Sequence, residues 1–201
     1  MKMKKVKVGI TGGIGSGKST VARYFKEKGF PVFSCDEIYK EIYETSEYQL
    51  ELSDAFPECL KNGKIDKQLL AQRVFSCPDS LQKLNSIAHR RIMSELYRRM
   101  DVASENVVFA EVPLLFEGGY EKAFDKVIVV LREKQQRIQA VSSRDKLSNE
   151  AIERRMSTQY DYDSVENLQT LQNQGCIFIE NNFSEEHLWA KLEKFLSNEN
   201  L

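Results

Sequence analysis

The chain carries no excess of either charge: 29 lysines and arginines stand against 30 aspartates and glutamates. Its net charge therefore gives no reason to expect nucleic acid or an acidic membrane surface as a partner. It also lacks any apolar run approaching the roughly 20 residues of a membrane-spanning helix. The N-terminal stretch "MKMKKVKVGIT" is basic, but its apolar part is broken by Lys7 and ends at Thr11, too short for a signal-peptide core. The four cysteines, Cys35, Cys59, Cys77 and Cys176, show neither the close pairing of zinc ligands nor a disulfide framework, and are expected as buried or half-buried free thiols. No internal repeat, low-complexity tract or proline-rich linker interrupts the chain. With 41% hydrophobic residues it can bury a substantial core, and a soluble, reducing, cytoplasmic setting is expected.

Residues 5 to 10, "KVKVGI", alternate and contain β-branched residues, which reads as a strand. Val21, Ala22, Tyr24 and Phe25 then recur at helical spacing up to Gly29, a good helix terminator. Pro31 opens a short strand, "VFS". From Asp36 to about Met100 the character changes to charged amphipathic helices punctuated by "FPE", "KNGKID" and "CPDS". Sheet signals return in "NVVFAEVPLLFE", "DKVIVVL" and "GCIFIE", and the first of these holds a continuous apolar run typical of buried parallel strands. Arg-rich helices separate the last two strands, and an amphipathic helix, "SEEHLWAKLEKFL", follows. The expectation is an α/β fold: a five-stranded, mostly parallel sheet with helices on both faces and ligands at the carboxyl ends of the strands.

Residues 12 to 19, "GGIGSGKS", match G-x-x-x-x-G-K-[ST] between a predicted strand and a predicted helix, the context that makes the motif specific. Glycines let the backbone fold around an anion with successive N–H groups inward, and the helix adds its positive end. Gly13, Ile14, Gly15, Ser16, Gly17, Lys18, Ser19 and Thr20 are therefore expected to cradle a nucleoside triphosphate. Lys18 would reach the outer phosphates and the Ser19 hydroxyl would ligate Mg²⁺. A plain glycine-rich turn with a surface lysine is the alternative, and the full motif disfavours it.

The rest of the chain must say who receives the phosphate. No guanine-reading N-K-x-D follows a strand, and "VVFAEVP" ends in Glu111 alone rather than in adjacent acids, which argues against a GTPase or a translocating ATPase. Glu111 is a candidate carboxylate for Mg²⁺, or a strand-end surface acid. Asp36, after the second strand, could orient or deprotonate an acceptor hydroxyl, or cap the helix "EIYKEIY". Arg137, Arg144, Arg154 and Arg155 lie on two helices joined by the polar hinge "DKLSNE", either a lid over the triphosphate or a solvated basic face. Arg137 and Arg144, two turns apart, share one helical face and are the pair expected at the transferring phosphoryl group. Within the enzyme class the rival is a nucleoside or nucleotide kinase; outside it, a regulatory module that closes on ATP without transfer.

The segments "GITGGIGSGKSTVA", "SCD", "GKIDKQLLAQRVF", "LNSIAHRRI", "EVPLLFEGG", "RDKLSNEAIERRMSTQ" and "FIENN" together resemble the dephospho-coenzyme A kinase family nearly end to end. The resemblance implies a P-loop kinase-like fold with a nucleotide-binding core at 1–35, 104–131 and 161–201, a helical acceptor-binding insertion at 36–103 and a lid at 132–160. It implies transfer of the γ-phosphoryl group of ATP, with Mg²⁺, to the ribose 3′-hydroxyl of dephospho-coenzyme A, and partners other than nucleic acid or membrane. On this likeness Asp36, Lys18 and Arg144 are catalytic, and Arg144 and Asn181 join the ATP-binding set. Asp36, His89, Leu114, Leu115, Phe116 and Glu117 face the acceptor, and Ser19 and Glu111 serve the metal. Three positions depart from the family pattern: Ser34 where an aspartate is usual, Arg90 where proline follows the histidine, and Phe183 where glycine is common. The insertion's Arg73, Arg90 and Arg91, with the apolar "PLLF" loop, offer charged and greasy surface to a long acceptor.

Overall fold

The computed structural model describes residues 5–201, so the first four residues of the basic N-terminal stretch lie outside the described residues. The chain opens with β1 (Val6–Thr11), a glycine-rich loop, α1 (Lys18–Glu27) and β2 (Val32–Ser34). Next come α2 (Cys35–Tyr43), α3 (Ser46–Ala55), the two-residue strands β3 (Leu60–Lys61) and β4 (Lys64–Ile65), α4 (Lys67–Ser76) and the long α5 (Pro78–Val102). After β5 (Val107–Glu111) and β6 (Lys126–Leu131), α6 (Lys134–Asp145) and α7 (Asn149–Met156) form a helical hairpin. Then α8 (Val165–Asn173) leads into β7 (Ile177–Glu180), followed by α9 (Glu185–Glu199). The β3–β4 hairpin and α8 are additions to the elements read from sequence. The hairpin turns at Asn62 and Gly63, with φ of 54° and 74°, the two positive values that a type I′ turn needs. Helix α8 is started by Ser164, whose hydroxyl accepts from the Asn167 N–H.

The five long strands lie in the order β2-β5-β1-β6-β7. β1 pairs in parallel with both β5 and β6, and β6 with β7, so each neighbour is reached by a crossover. The chain leaves β1 toward one edge of the sheet and later passes through β6 to the other. The crevice beyond the carboxyl end of β1 is therefore a topological switch point, where α/β sheets bind ligands.

Two compact units result, Met1–Phe33 with Ala103–Leu201, and Ser34–Val102. In the first, Val8 and Ile10 of β1 pack with Val21 and Phe25 of α1 and with Leu188, Leu192 and Phe195 of α9. The Phe25 ring stacks on Phe109 at 3.9 Å between centroids and meets Phe195 edge-on at 6.0 Å. One aromatic side chain thus ties both helices to the sheet. The second unit has its own core of Tyr48, Leu52, Phe56, Ile65, Leu70 and Val74. Its helices are capped locally: Thr45 accepts from Tyr48 N–H and Asp66 from the amides of Gln68 and Leu69. Glu95 of α5 sits between Arg98 and Arg99, whose guanidiniums pull its carboxyl down to about 2.

The four cysteines are free thiols, Cys35 and Cys59 buried and Cys77 and Cys176 half-buried. No helix among the described residues is long and apolar enough to cross a membrane.

Because Phe25 is fully buried and touches three elements, its truncation leaves a cavity that neither helix can close. Phe25→Ala is expected to lower the unfolding free energy by about 3–5 kcal/mol, measured from denaturant midpoints. A loss under about 1 kcal/mol would show that the stack contributes little to the core.

Candidate active site

The glycine-rich loop is the first turn the chain makes after the central strand. Its backbone is strained in a way that only glycine tolerates well. Gly15 has φ of 77°, and a Cβ there would lie 2.5 Å from the carbonyl oxygen of Arg137; Gly17 has φ of 96°, with a Cβ 2.2 Å from the Asn181 side-chain nitrogen. Gly17 is the N-cap of α1, so the loop ends on the helix's outward-facing first amides and its positive dipole end.

Other segments hold this loop from behind. The Asn181 side-chain amide donates to the Ser16 carbonyl at 2.9 Å, and the Gln159 side-chain oxygen accepts the Ile14 N–H at 2.8 Å. The Ile14 side chain packs against Ile138, Val141 and Ile152 of the α6–α7 hairpin. Lys18 folds back along the loop, its ammonium donating to the carbonyls of Gly12 and Gly13 at 2.8 and 3.1 Å. Ser19 stands exposed in the first turn of α1, and Thr20 is half-buried beside it. Glu111 ends β5 opposite Ile10 of β1, half-buried at the same edge of the sheet. Ser19 and Glu111 offer hard oxygen donors, and no group of three or more histidine, cysteine or acidic side chains among the described residues forms a cage. Such a donor set fits Mg²⁺, which binds through few protein oxygens together with water and substrate phosphates.

The two arginines of α6 separate sharply. Arg137 is 4% exposed, with its guanidinium against Gly13 and a double hydrogen bond to the Asp163 carboxylate, one arm of it 2.7 Å. Arg144, two turns on, is 64% exposed and pairs with its neighbour Asp145. Sharing a helical face does not give the two arginines the same surroundings: α6 packs against the phosphate loop through Arg137 and Val141, whereas Arg144 in its last turn is exposed. Arg137, expected with Arg144 at the transferring phosphoryl group, lies beside Gly13 of the phosphate loop. It is committed to Asp163 and braces the loop.

Beside the loop, a cavity of about 180 Å³ is lined by Gly13, Arg132, Glu133, Tyr162, Glu180 and Asn182. Asn182 accepts the Glu133 N–H at 2.9 Å. Asn181, expected in the ATP-binding set, donates its side-chain amide to the Ser16 carbonyl of the phosphate loop. Gln159, Tyr162, Asp163 and Arg132 were not singled out from sequence. Gln159 closes one of the segments that carry the family resemblance, which was the available signal. Tyr162 and Asp163 had none.

The segment after β5 forms a tight turn in which Gly118 N–H donates to Leu114 and Tyr120 N–H to Leu115. Leu115 is wholly buried and packs over Gly9; its side chain is core, a correction to its expected place on the acceptor surface. Leu114 and Phe116 are half-buried and Glu117 is exposed. Phe116 leans on Tyr160 at 5.2 Å, and Glu117 accepts the Tyr160 N–H at 2.7 Å, so this turn is fastened to the strand of chain after the lid.

In the second unit, Asp36 is exposed in the first turn of α2, with Ser34 as N-cap. The helix starts two residues earlier than the capping alternative required, so Asp36 is no cap. Arg73 pairs with Glu58, and Arg90 and Arg91 both with Glu51; the expected basic surface is largely occupied by acids of its own unit. His89 is half-buried in α5, and burial holds its imidazole below the ordinary histidine range near 6.5.

A parallel sheet bearing a phosphate loop at its switch point, braced by a helical hairpin, defines a P-loop nucleotide-binding fold. The sequence model described as Dephospho-CoA kinase matches residues 6–178. The dephospho-CoA kinase of Fusobacterium nucleatum is 36% identical over 190 residues, 94% of this chain and 95% of that protein; that of Corynebacterium glutamicum is 35% identical, over 96% of this chain and 98% of its own. Among solved structures, the dephospho-CoA kinase from Campylobacter jejuni aligns with a TM-score of 0.69 at 30% identity, covering 97% and 98% of the two chains. A Thermus thermophilus protein aligns at 0.79 with 32% identity and the same coverage. The chain belongs to the dephospho-CoA kinase family, whose members are ATP-dependent kinases.

The depressed His89 predicts a pH dependence. The unfolded chain takes up a proton below about 6.5 while the folded chain resists it, so this histidine's contribution costs stability as pH falls through that value. Urea unfolding at about pH 7.5 and about pH 5.5 should show a drop that shrinks in His89→Gln. An undiminished drop would place the pH sensitivity elsewhere.

Proposed function

We propose that this chain transfers the γ-phosphoryl group of ATP to the ribose 3′-hydroxyl of dephospho-coenzyme A, giving coenzyme A and ADP, the final step of coenzyme A synthesis, in the cytoplasm. The observation that carries the reading is the phosphate loop. Gly13 to Thr20 run from the central strand into the positive end of α1, clamped by Asn181 and Gln159 from distant segments.

In this reading the loop amides and the Lys18 ammonium hold the triphosphate, and Lys18 exchanges its carbonyl partners for phosphate oxygens. Ser19, with Glu111, would hold Mg²⁺ on the phosphates; when bound, the ion neutralises charge developing on the β- and γ-phosphates. Arg144, exposed on the hairpin and paired with the adjacent Asp145, can turn toward the transferring group as a stabiliser of its developing charge. Asp36 accepts the proton of the 3′-hydroxyl as that oxygen bonds to phosphorus and the bond to ADP breaks. With Ser34 uncharged, Asp36 is the carboxylate that the segment "SCD" contributes. His89, Leu114, Phe116 and Glu117 remain the expected acceptor contacts, and Leu115 supports them from the core. Neutral His89 would act as a hydrogen-bonding rather than a charged group.

Purified protein with ATP, Mg²⁺ and a panel of hydroxyl acceptors tests the reading by ADP release and product mass. The new phosphate is expected on the ribose 3′-hydroxyl of dephospho-coenzyme A; phosphorylation of a free nucleoside in its place would overturn it. Lys18→Ala should lose about a hundredfold or more in turnover with the fold intact, and near-normal turnover would remove the loop from the mechanism. Asp36→Asn should keep ATP binding while turnover falls roughly 10² to 10⁴-fold. If it matches the parent, the base lies elsewhere.

A further inference from the structure

Between α7 and α8 the chain runs through 157–164 with no helix or strand, yet its middle, "QYDYD" at 159–163, is fixed at every residue. Three of the five side chains secure the phosphate loop. The Gln159 side-chain oxygen accepts the Ile14 N–H at 2.8 Å. The Tyr162 hydroxyl lies 3.4 Å from the Thr11 hydroxyl, at the end of β1 where the loop begins, and both side chains are buried. The Tyr162 ring stands beside Gly13, where a Cβ would come within 3.5 Å of it. Burial pushes the Tyr162 phenol above its ordinary range, so the hydroxyl stays neutral and able to donate. Asp163 takes up the Arg137 guanidinium, which itself lies against Gly13.

The same five residues also reach the turn after β5. Tyr160 N–H donates to the Glu117 carboxylate at 2.7 Å, and the rings of Phe116, Tyr160 and Tyr162 form a cluster with centroids 5.2 to 6.4 Å apart. Tyr162 thus meets the loop with its hydroxyl and the turn with its ring. Asp161 stiffens the segment between them: its carboxylate accepts the Asp163 N–H at 2.9 Å and its carbonyl accepts from the Asn167 side-chain amide of α8 at 3.0 Å, the local bonding by which aspartate fixes a turn. On the other side, a cavity of about 260 Å³ lies between the segment and Glu153 and Met156 of α7. With open space there, the position of the segment is set by the loop, the turn and α8.

We propose that 159–163 is a positioning strap that couples the phosphate loop to the turn 114–117, so that nucleotide on the loop and acceptor at the turn strengthen each other's binding. It rests on the acceptor reading given under Proposed function, which puts Leu114, Phe116 and Glu117 at the acceptor. The strap acts through the loop and the turn and leaves the chemistry to other groups. Ordering either end removes freedom from the shared segment, so the second ligand meets a strap already ordered and loses less entropy on binding. By linkage the gain is the same whichever ligand binds first.

The test titrates the chain with a non-hydrolysable ATP analogue and Mg²⁺ by calorimetry, with and without saturating dephospho-coenzyme A. In the parent protein the acceptor should tighten binding of the analogue by about fivefold or more. Tyr162→Phe, which keeps the ring and deletes the hydroxyl, and Gln159→Ala, which leaves the Ile14 N–H without its acceptor, should bring that factor close to one while the unfolding midpoint stays near the parent's. Leu50→Asp, at an exposed position of α3, is the control and should leave the factor unaltered. Glu117→Ala should weaken binding of the analogue by about twofold to thirtyfold with no acceptor present, although Glu117 lies on the turn and not on the loop. That loss should not add to the loss from Gln159→Ala in the double variant, because both break one strap. A factor of one in the parent protein overturns the proposal, as does a factor that survives in both strap variants. Nucleotide affinity that falls in those variants while the factor holds also overturns it, since the segment would then only support the loop. A parent protein that binds the analogue but not dephospho-coenzyme A defeats the acceptor reading. Glu117→Ala then decides the link between turn and loop on its own, which stands if nucleotide affinity falls and is overturned if it does not.

Discussion

A loop that grips phosphate through its amides has to turn those N–H groups away from the protein. Its carbonyls and its strained glycines must then be satisfied from behind. Here the Ser16 carbonyl is met by Asn181, the Ile14 amide by Gln159 and the space behind Gly13 by the Arg137 guanidinium. None of these partners is near the loop in sequence. They arrive from the segment after β7, from the end of the helical hairpin and from α6. The sheet order that brings the carboxyl ends of β1, β6 and β7 side by side is thus also what makes the loop rigid, and a rigid loop needs no reorganisation when charge moves.

The same arrangement links the α6–α7 hairpin to the loop. Ile14 belongs to the loop, yet its side chain is part of the hydrophobic cluster of α6 and α7. Arg137 is shared in the same sense: its backbone lies against Gly15 and its guanidinium against Gly13, while Asp163 fixes its charge. A hairpin that carries an exposed Arg144 at one end and a buried Arg137 at the other can move only as far as these contacts yield. The exposed end of the hairpin is therefore tied mechanically to the end packed on the loop.

The second unit has its own core. Its arginines, abundant in the sequence, are largely engaged with Glu51, Glu58, Glu41 and Glu95, exposed or half-exposed pairs that contribute little each. What that unit leaves open is an apolar groove between α2 and α4.

Much was legible from the chain alone, and it was the part with a local physical cause. The five strands follow from alternation and β-branching in short windows, and α1 from apolar spacing up to Gly29. The phosphate loop follows because glycine spacing, Lys18 and the strand–helix context are all contiguous. The β3–β4 hairpin was within reach, since Asn62-Gly63 is a strong turn signal, but two-residue strands leave almost no periodicity to read. Packing alone decided the roles of Leu115, Arg137 and Asn181. A leucine in an apolar loop can face a ligand or Gly9, an arginine on a helix can reach outward or brace a neighbouring loop, and an asparagine can touch a base or a carbonyl. Each choice is set by what lies opposite in space, and those partners stand far away along the chain.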